Sequence, residues 1–227
     1  MDDRIPLLCP LFCDLPEERF RQALLPRGRL RRLAPGETLI APQEQVDWFG
    51  IVLEGHIRIL QASLSNGLME NLYPSFAVGA DLLFTKNRRS PYRAAAAAAA
   101  QVMIFPGEVL TGPEVLTQEE QLLVYRRLLT LISQSNMRKY NRLDMLSRRG
   151  LRDRILTYLT LQAARRDEDS FQISFSREEL ADFLCVNRSA LSHELSLMEQ
   201  EGLIRFRKNR FTLLPNGEER LGRSGIA

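Results

Sequence analysis

The side chains best suited to chemical recognition gather toward the C-terminal end of the chain. Asn187 is followed by Arg188-Ser-Ala-Leu-Ser-His-Glu-Leu-Ser-Leu-Met, in which Leu191, Leu195 and Met198 recur at helical spacing and form one apolar face. Ser189, Ser192, His193 and Ser196 then point broadly the other way, with Arg188 at the entry. A helix whose free face is small and polar, with a long cation at its start, can enter a DNA major groove and hydrogen-bond base edges. A polar solvated face is the plainer alternative, and these residues alone favour neither. The next segment, Leu203-Ile-Arg-Phe-Arg-Lys-Asn-Arg-Phe-Thr-Leu-Leu, reads as a hairpin turning at Lys208-Asn209. Arg205, Arg207, Lys208 and Arg210 make it a basic wing, suited to phosphate contacts that position a protein without reading sequence.

Other chemistries have little material. The chain has two histidines, His56 and His193, and three cysteines, Cys9, Cys13 and Cys185. General-base catalysis, a nucleophile-base pair and a phosphate-cradling glycine loop find no compact constellation, so no catalytic residue is assigned and no enzyme is expected. Cys9 and Cys13 offer two ligands where a zinc or iron-sulfur site needs four, so no metal site is assigned and the thiols read as buried or incidental. Haem ligation by His56 is chemically open, but a lone histidine is more often structural. The odd, sparse cysteine set fits a reducing compartment.

The elements that must position the helix and wing can be read locally. Ser176-Arg-Glu-Glu179 is a capping box, which starts a helix running to about Leu184. Cys185-Val186-Asn187 makes the turn, Asn187 is a good N-cap for the helix from Arg188 to Gln200, and Gly202 stands where a left-handed C-terminal residue belongs. Two short helices joined by so short a turn form a helix-turn-helix. Upstream, Arg152 to Ala164 carries Ile155, Leu159 and Ala163 on one helical stripe, and Phe171-Gln-Ile-Ser-Phe alternates as a strand.

From Leu30 to Phe105 short alternating runs such as Phe49-Gly-Ile-Val-Leu, His56-Ile-Arg-Ile-Leu and Gln101-Val-Met-Ile-Phe are cut by Pro35-Gly36, Glu54-Gly55 and Asn66-Gly67, the pattern of antiparallel strands with tight turns. The seven alanines Ala94 to Ala100 favour helix by propensity. Their strand-like flanks point instead to small side chains lining a tightly packed inner face, and strand is the reading preferred.

After Pro113 a helical segment runs to near Gly150 without internal proline or glycine. Leu122, Tyr125, Leu129, Ile132, Asn136, Lys139, Leu143 and Leu146 alternate spacings of three and four, a seam that fits a coiled-coil dimer with Asn136 able to fix register. The alternative is a helix lying against its own domain. The expected class is therefore α+β: an N-terminal antiparallel, jelly-roll-like β-roll over 1–112, a long dimerisation helix and hinge over 113–150, and a C-terminal winged helix-turn-helix over 151–227.

With 227 residues and a net charge of +3, composition alone announces no nucleic-acid partner. Basic residues nevertheless cluster at Arg27 to Arg32, at Lys86, Arg88 and Arg89, at Arg138 to Arg149 and at Arg205 to Arg210. No stretch approaches the roughly 20 apolar residues that span a bilayer, and the N-terminus lacks a basic region followed by an apolar run. A cytoplasmic protein without membrane contact is expected.

Over nearly its full length the chain resembles the Crp/Fnr family of bacterial transcription regulators. The carriers are Phe175-Ser-Arg-Glu-Glu-Leu-Ala-Asp-Phe-Leu and Val186-Asn-Arg-Ser-Ala-Leu-Ser-His-Glu-Leu-Ser-Leu-Met-Glu-Gln-Glu-Gly-Leu-Ile, with the roll and long helix upstream. The resemblance implies a homodimer that docks two recognition helices into successive major grooves of a near-palindromic double-stranded site, and an RNA polymerase contact. Arg188 matches the family's usual base-contacting arginine, which commonly reads guanine. Ser189 stands where many members have glutamate and His193 where many have arginine, so Ser189, Ser192 and His193 are expected to set a different sequence preference. Ser176 and Asn187, at the starts of the two helices, with Arg207 and Lys208 on the wing, complete the expected DNA-binding set.

Cyclic-nucleotide-binding members carry a phosphate cassette of Gly-Glu-Leu followed by Arg-Ser-Ala. Here Val78-Gly-Ala-Asp-Leu-Leu-Phe precedes Arg89-Ser90-Pro91, so Gly79, Arg89 and Ser90 match while Ala80 replaces the glutamate. The arginine and serine could still hold a phosphate or carboxylate, but a ribose hydroxyl loses its acceptor and Pro91 removes a backbone donor. Cyclic AMP or cyclic GMP is not expected; another small anionic effector and no ligand at all both stay open, and Arg89-Ser90 also reads as a structural turn. The rival to DNA binding is a cyclic-nucleotide-binding-like module acting through protein contacts. In the preferred reading a signal at the roll alters packing of the helices over Gln121 to Arg149, and Ser147 to Leu151 relays it, with Gly150 as hinge.

Overall fold

The computed structural model describes residues 9–62 and 67–215. It divides into two units, Met1–Asn136 and Met137–Ala227. In the first, strands β1 (Arg29–Leu33), β2 (Thr38–Ile40), β3 (Trp48–Glu54), β4 (Ile57–Gln61), β5 (Leu68–Leu72), β6 (Ala77–Val78), β7 (Tyr92–Ala96) and β8 (Ala100–Pro106) build two four-stranded antiparallel sheets, ordered β1-β8-β3-β6 and β2-β7-β4-β5. The sheets share an aliphatic core that includes Ile40, Val52, Ile57 and Val102. Asn66 of the Asn66-Gly67 turn lies outside the described residues.

The alanine run resolves into strand, bend and strand. Ala94, Ala95 and Ala96 pair with Ile59, Arg58 and Ile57 of β4 and are buried, and β8 resumes at Ala100 after a bend over 97–99. The same bend passes close to Gly55, which turns β3 into β4 with φ +70°. A Cβ there would meet the Ala99 carbonyl at 2.5 Å and the Ala100 Cβ at 3.0 Å, so a side chain at position 55 would force the turn apart.

A second core joins Phe12, Phe20, Phe49 and Phe105, with Phe49 and Phe105 stacked at 5.3 Å. It ties the segment around α1 (Glu17–Arg19) to the first sheet. A short helix α2 (Glu108–Thr111) follows β8, and the long helix α3 covers Gln118–Ser147. Val124 and Leu128 of α3 join the aromatic core. Burying each such side chain contributes about 1.5–3 kcal/mol. Arg19 Nε donates to Glu120 Oε1 at 2.7 Å and fixes the start of α3 against α1. Among the described residues no helix is long and apolar enough to cross a membrane.

The second unit contains α4 (Leu151–Arg166), β9 (Ser170–Gln172), α5 (Arg177–Phe183), α6 (Arg188–Gln200), β10 (Ile204–Arg207) and β11 (Arg210–Leu213). The strands form one sheet ordered β10-β11-β9. Ile155, Leu159, Leu180, Leu191, Leu195, Met198 and Phe211 belong to one buried cluster, so the apolar stripes of α4, α5 and α6 and one face of the hairpin close on each other. The strand expected over Phe171 to Phe175 is shorter, ending at Gln172. Its backbone partner changes there: Ile173 N–H donates to the Asn209 carbonyl.

Candidate nucleic-acid interface

The start of α5 is set by its capping box. Ser176 Oγ accepts from Glu179 N–H, and the Glu179 carboxylate accepts from Ser176 N–H at 2.9 Å. Two of the four orphan amides at the helix start are thereby satisfied. The turn into α6 passes through Cys185 at φ +57°. Asn187 then caps α6, its Oδ1 accepting from Ala190 N–H at 2.7 Å and from the Ser189 hydroxyl at 2.8 Å. Gly202 takes φ +69°, the left-handed residue that ends α6.

With Leu191, Leu195 and Met198 buried, Arg188, Ser189, Ser192, His193 and Ser196 are left exposed on α6. Ser196 Oγ is turned back onto the Ser192 carbonyl at 3.0 Å. The amphipathic split therefore gives a free face of small side chains with one long cation at its entry. A second cation stands beside it: the field of Arg188, after burial, helps lower the pKa of the Arg177 guanidinium. Two cations held at one helix-turn-helix entry create a local positive potential that attracts a polyanion.

Arg152 of α4 supports α6 from behind. Its Nε donates to Glu194 Oε1 at 2.6 Å, and its two terminal nitrogens reach Glu201 at 2.7 and 2.8 Å. Glu194 and the C-cap residue Glu201 are thus drawn onto Arg152, which offsets one of their two negative charges.

The wing has two chemically distinct faces. Pairing sets Phe206 against Phe211 and Ile204 against Leu213 on one side, with Arg205 against Thr212 and Arg207 against Arg210 on the other, as cross-strand neighbours share a face. Arg205, Arg207 and Arg210 are exposed together on the second face, and Lys208 is exposed at the tip. The tip itself is tethered, because Asn209 Nδ2 donates to the Ile173 carbonyl at 3.0 Å while Ile173 N–H donates back at 2.9 Å.

All the expected DNA-facing residues thus fall in one small unit. Ser176 and Asn187 act on the backbone as caps, whereas Arg188, Ser189, Ser192, His193, Arg207 and Lys208 present exposed side chains. Sequence reasoning missed Arg177 and Arg152. The second position of the capping motif could have flagged Arg177, but its partners are about thirty positions away in sequence.

The roll residues are placed differently. Gly79 takes φ +81° after β6, and a Cβ there would meet the Trp48 carbonyl at 3.3 Å. Ala80 and Ser90 are buried, whereas Arg89 is exposed. Ser90 Oγ donates to the Tyr92 carbonyl at 2.7 Å, and Ser90 exchanges backbone hydrogen bonds with Gln43 and Glu44. Arg89 Nη1 donates to the Gln43 carbonyl at 2.8 Å. Both cassette side chains therefore hold local backbone in this structure. Among the described residues no group of three His, Cys, Asp or Glu side chains converges. Burial pushes the Cys9 thiol up to about 12, which makes it a poor nucleophile or ligand.

Residues 153–217 match the model of the Crp-like helix-turn-helix domain. No curated protein sequence matches the chain significantly. Among solved structures, FixK2 from Bradyrhizobium japonicum superposes with a TM-score of 0.63 at 17% identity, covering 88% of this chain and 99% of its own. The c-di-GMP-responsive global regulator CLP of Xanthomonas campestris gives 0.66 at 16% identity, over 86% of this chain and 96% of its own. A CRP-family transcriptional regulator from Thermus thermophilus, TTHB099, gives 0.53 at 25% identity, over 82% and 93%. Likeness to these solved structures shows a shared fold. The present chain has that fold across both units and carries a Crp-like helix-turn-helix domain in the second.

Proposed function

We propose that this protein is a cytoplasmic, homodimeric regulator of the Crp/Fnr type that binds a near-palindromic DNA site, with its affinity controlled by a signal at the β-roll. The observation that carries the reading is the pairing, within one unit, of an exposed Arg188-Ser189-Ser192-His193 face with an exposed basic wing face. Arg188 reads a base edge, Ser189, Ser192 and His193 tune the choice of neighbouring bases, and Arg207 and Lys208 hold phosphates. Ser176 and Asn187 contribute through the helix starts they cap.

The dimer rests on α3. Leu122, Leu129 and Leu143 are 61%, 66% and 66% exposed, and Tyr125 and Ile132 are exposed beside them on the same seam. A monomer would leave this heptad-spaced apolar stripe in water, and a second α3 covers it. We assign the roll over 1–112 to sensing, 113–150 to dimerisation and 151–227 to DNA. The effector, if anionic, would have to release Arg89 and Ser90 from their present backbone partners. Gly79 completes that proposed effector set through its close backbone approach.

Selection of bound duplexes from a random pool at fixed salt tests the reading. A two-fold symmetric motif is expected. An unenriched pool, both alone and with anionic effectors of the nucleotide and carboxylate classes added, would contradict it.

A further inference from the structure

The side chain that opens α5 does not point freely toward solvent. The Arg177 guanidinium lies 5.0 Å from the Phe206 ring centroid and 5.6 Å from that of Phe211. Those two rings are cross-strand partners on the apolar face of the wing, stacked at 5.9 Å. Arg177 Nη2 also donates to the Lys208 carbonyl at 3.1 Å, at the wing-tip residue that takes φ +55°. A lysine in that left-handed conformation is disfavoured unless its surroundings hold it there. The planar cation therefore grips both the aromatic floor of the wing and the backbone of its tip.

We infer that Arg177 is a positioning residue that docks the wing onto the helix-turn-helix, so that Arg207 and Lys208 meet phosphate as a preset pair. This inference rests on the DNA-binding reading above. The capping box fixes where α5 begins, Arg177 is the first residue of that helix, and its guanidinium carries that fixed point across to β10 and β11. The Asn209–Ile173 bonds hold the other side of the tip. The rings occupy one face of the hairpin, so the arginines on the other face are turned outward by the same contact. The alternative role, a direct phosphate ligand at a helix start, needs only a positive charge at residue 177.

Lysine separates the two. Arg177→Lys keeps the charge but loses the flat stacking surface and the fork geometry. The experiment titrates a selected duplex and a random duplex over a salt series with wild type, Arg177→Lys, Arg177→Gln and each of these combined with Arg207→Ala/Lys208→Ala. Expected for positioning is that Arg177→Lys and Arg177→Gln weaken both duplexes alike, by about tenfold. Each should flatten the salt slope by about two phosphate equivalents, at roughly 0.9 per phosphate. Adding the wing substitutions should then change little further. Wild-type affinity and slope in Arg177→Lys, or a loss of one phosphate equivalent that adds to the wing substitutions, would overturn the proposal.

Hydrogen exchange of the Ile173 amide gives a readout without DNA. It should quicken in Arg177→Lys relative to wild type while amides in the core of α4 keep their protection. Unchanged exchange would overturn the docking. A wild type that binds neither duplex at any salt would instead remove the DNA-binding reading, and the Ile173 exchange would still decide whether Arg177 docks the wing.

Discussion

Arg152 and Glu194 lie 2.6 Å apart at the contact between α4 and α6, with side chains only 21% and 20% exposed. The same guanidinium also takes Glu201, so one residue of α4 holds α6 at its middle and at its end. Arg152 is two positions after Gly150, which takes φ −86° and ψ 139°, backbone that any residue adopts. The left-handed freedom of glycine is thus unused at the expected hinge, and the rigid element near it is Arg152.

Arg152→Ala should lower the stability of the DNA-binding unit by about 1–2 kcal/mol, since it leaves a half-buried carboxylate without its charged donor. Hydrogen exchange of the α6 amides reads this directly. Glu194→Gln, which keeps a neutral acceptor, should cost less than Arg152→Ala; equal costs would mean that the charge, and not the hydrogen bond alone, carries this contact.

Leu129→Asp should convert a dimer to monomers in sedimentation at concentrations where wild type is dimeric, because Leu129 is exposed within its own chain and a charge on a coiled-coil seam disfavours pairing. The roll should melt as in wild type. A variant that stayed dimeric would place the dimer contact elsewhere than the α3 seam.

Acid should weaken the first unit. The Arg19 guanidinium holds the Glu120 carboxyl below its ordinary value of 4.5, helped by the Thr117 N–H. A carboxylate whose folded pKa is depressed contributes stability above its unfolded pKa and loses it as pH falls through the folded value. Urea unfolding followed at Trp48, taken from neutral pH to about pH 3, should show a decline below pH 4.5 that is shallower in Glu120→Gln. An identical pH profile in the variant would show that this pair does not contribute.

What the sequence made legible was local chemistry. The caps at Ser176 and Asn187 and the bounds Arg188 to Gln200 could be read because capping and helical period act over a few residues. The alanine run was harder, because alanine's intrinsic preference for helix opposes the strand pairing of Ala94 to Ala96 with β4. The start of α3 was displaced for a similar reason: Pro113 marks a break, but the helix begins only after Thr117, whose hydroxyl accepts from Glu120 N–H. Arg152 with Glu194 and Glu201, and Arg177 with Phe206 and Phe211, were invisible because their partners are distant in sequence and nothing in the residue types links them. The inward turn of the Ser90 hydroxyl likewise depends on the roll closing around it.

In the proposed function α6 reads bases while the wing holds phosphates. Parallel titration of a selected duplex and a random duplex at one salt concentration, with wild type and Arg188→Ala, tests it most directly. Expected are a loss of about 1–3 kcal/mol on the selected site, relaxed choice at one base pair in each half-site, and little change on random DNA. An equal loss on both duplexes would contradict it, since Arg188 would then be a phosphate contact and the recognition helix would not read the sequence through it.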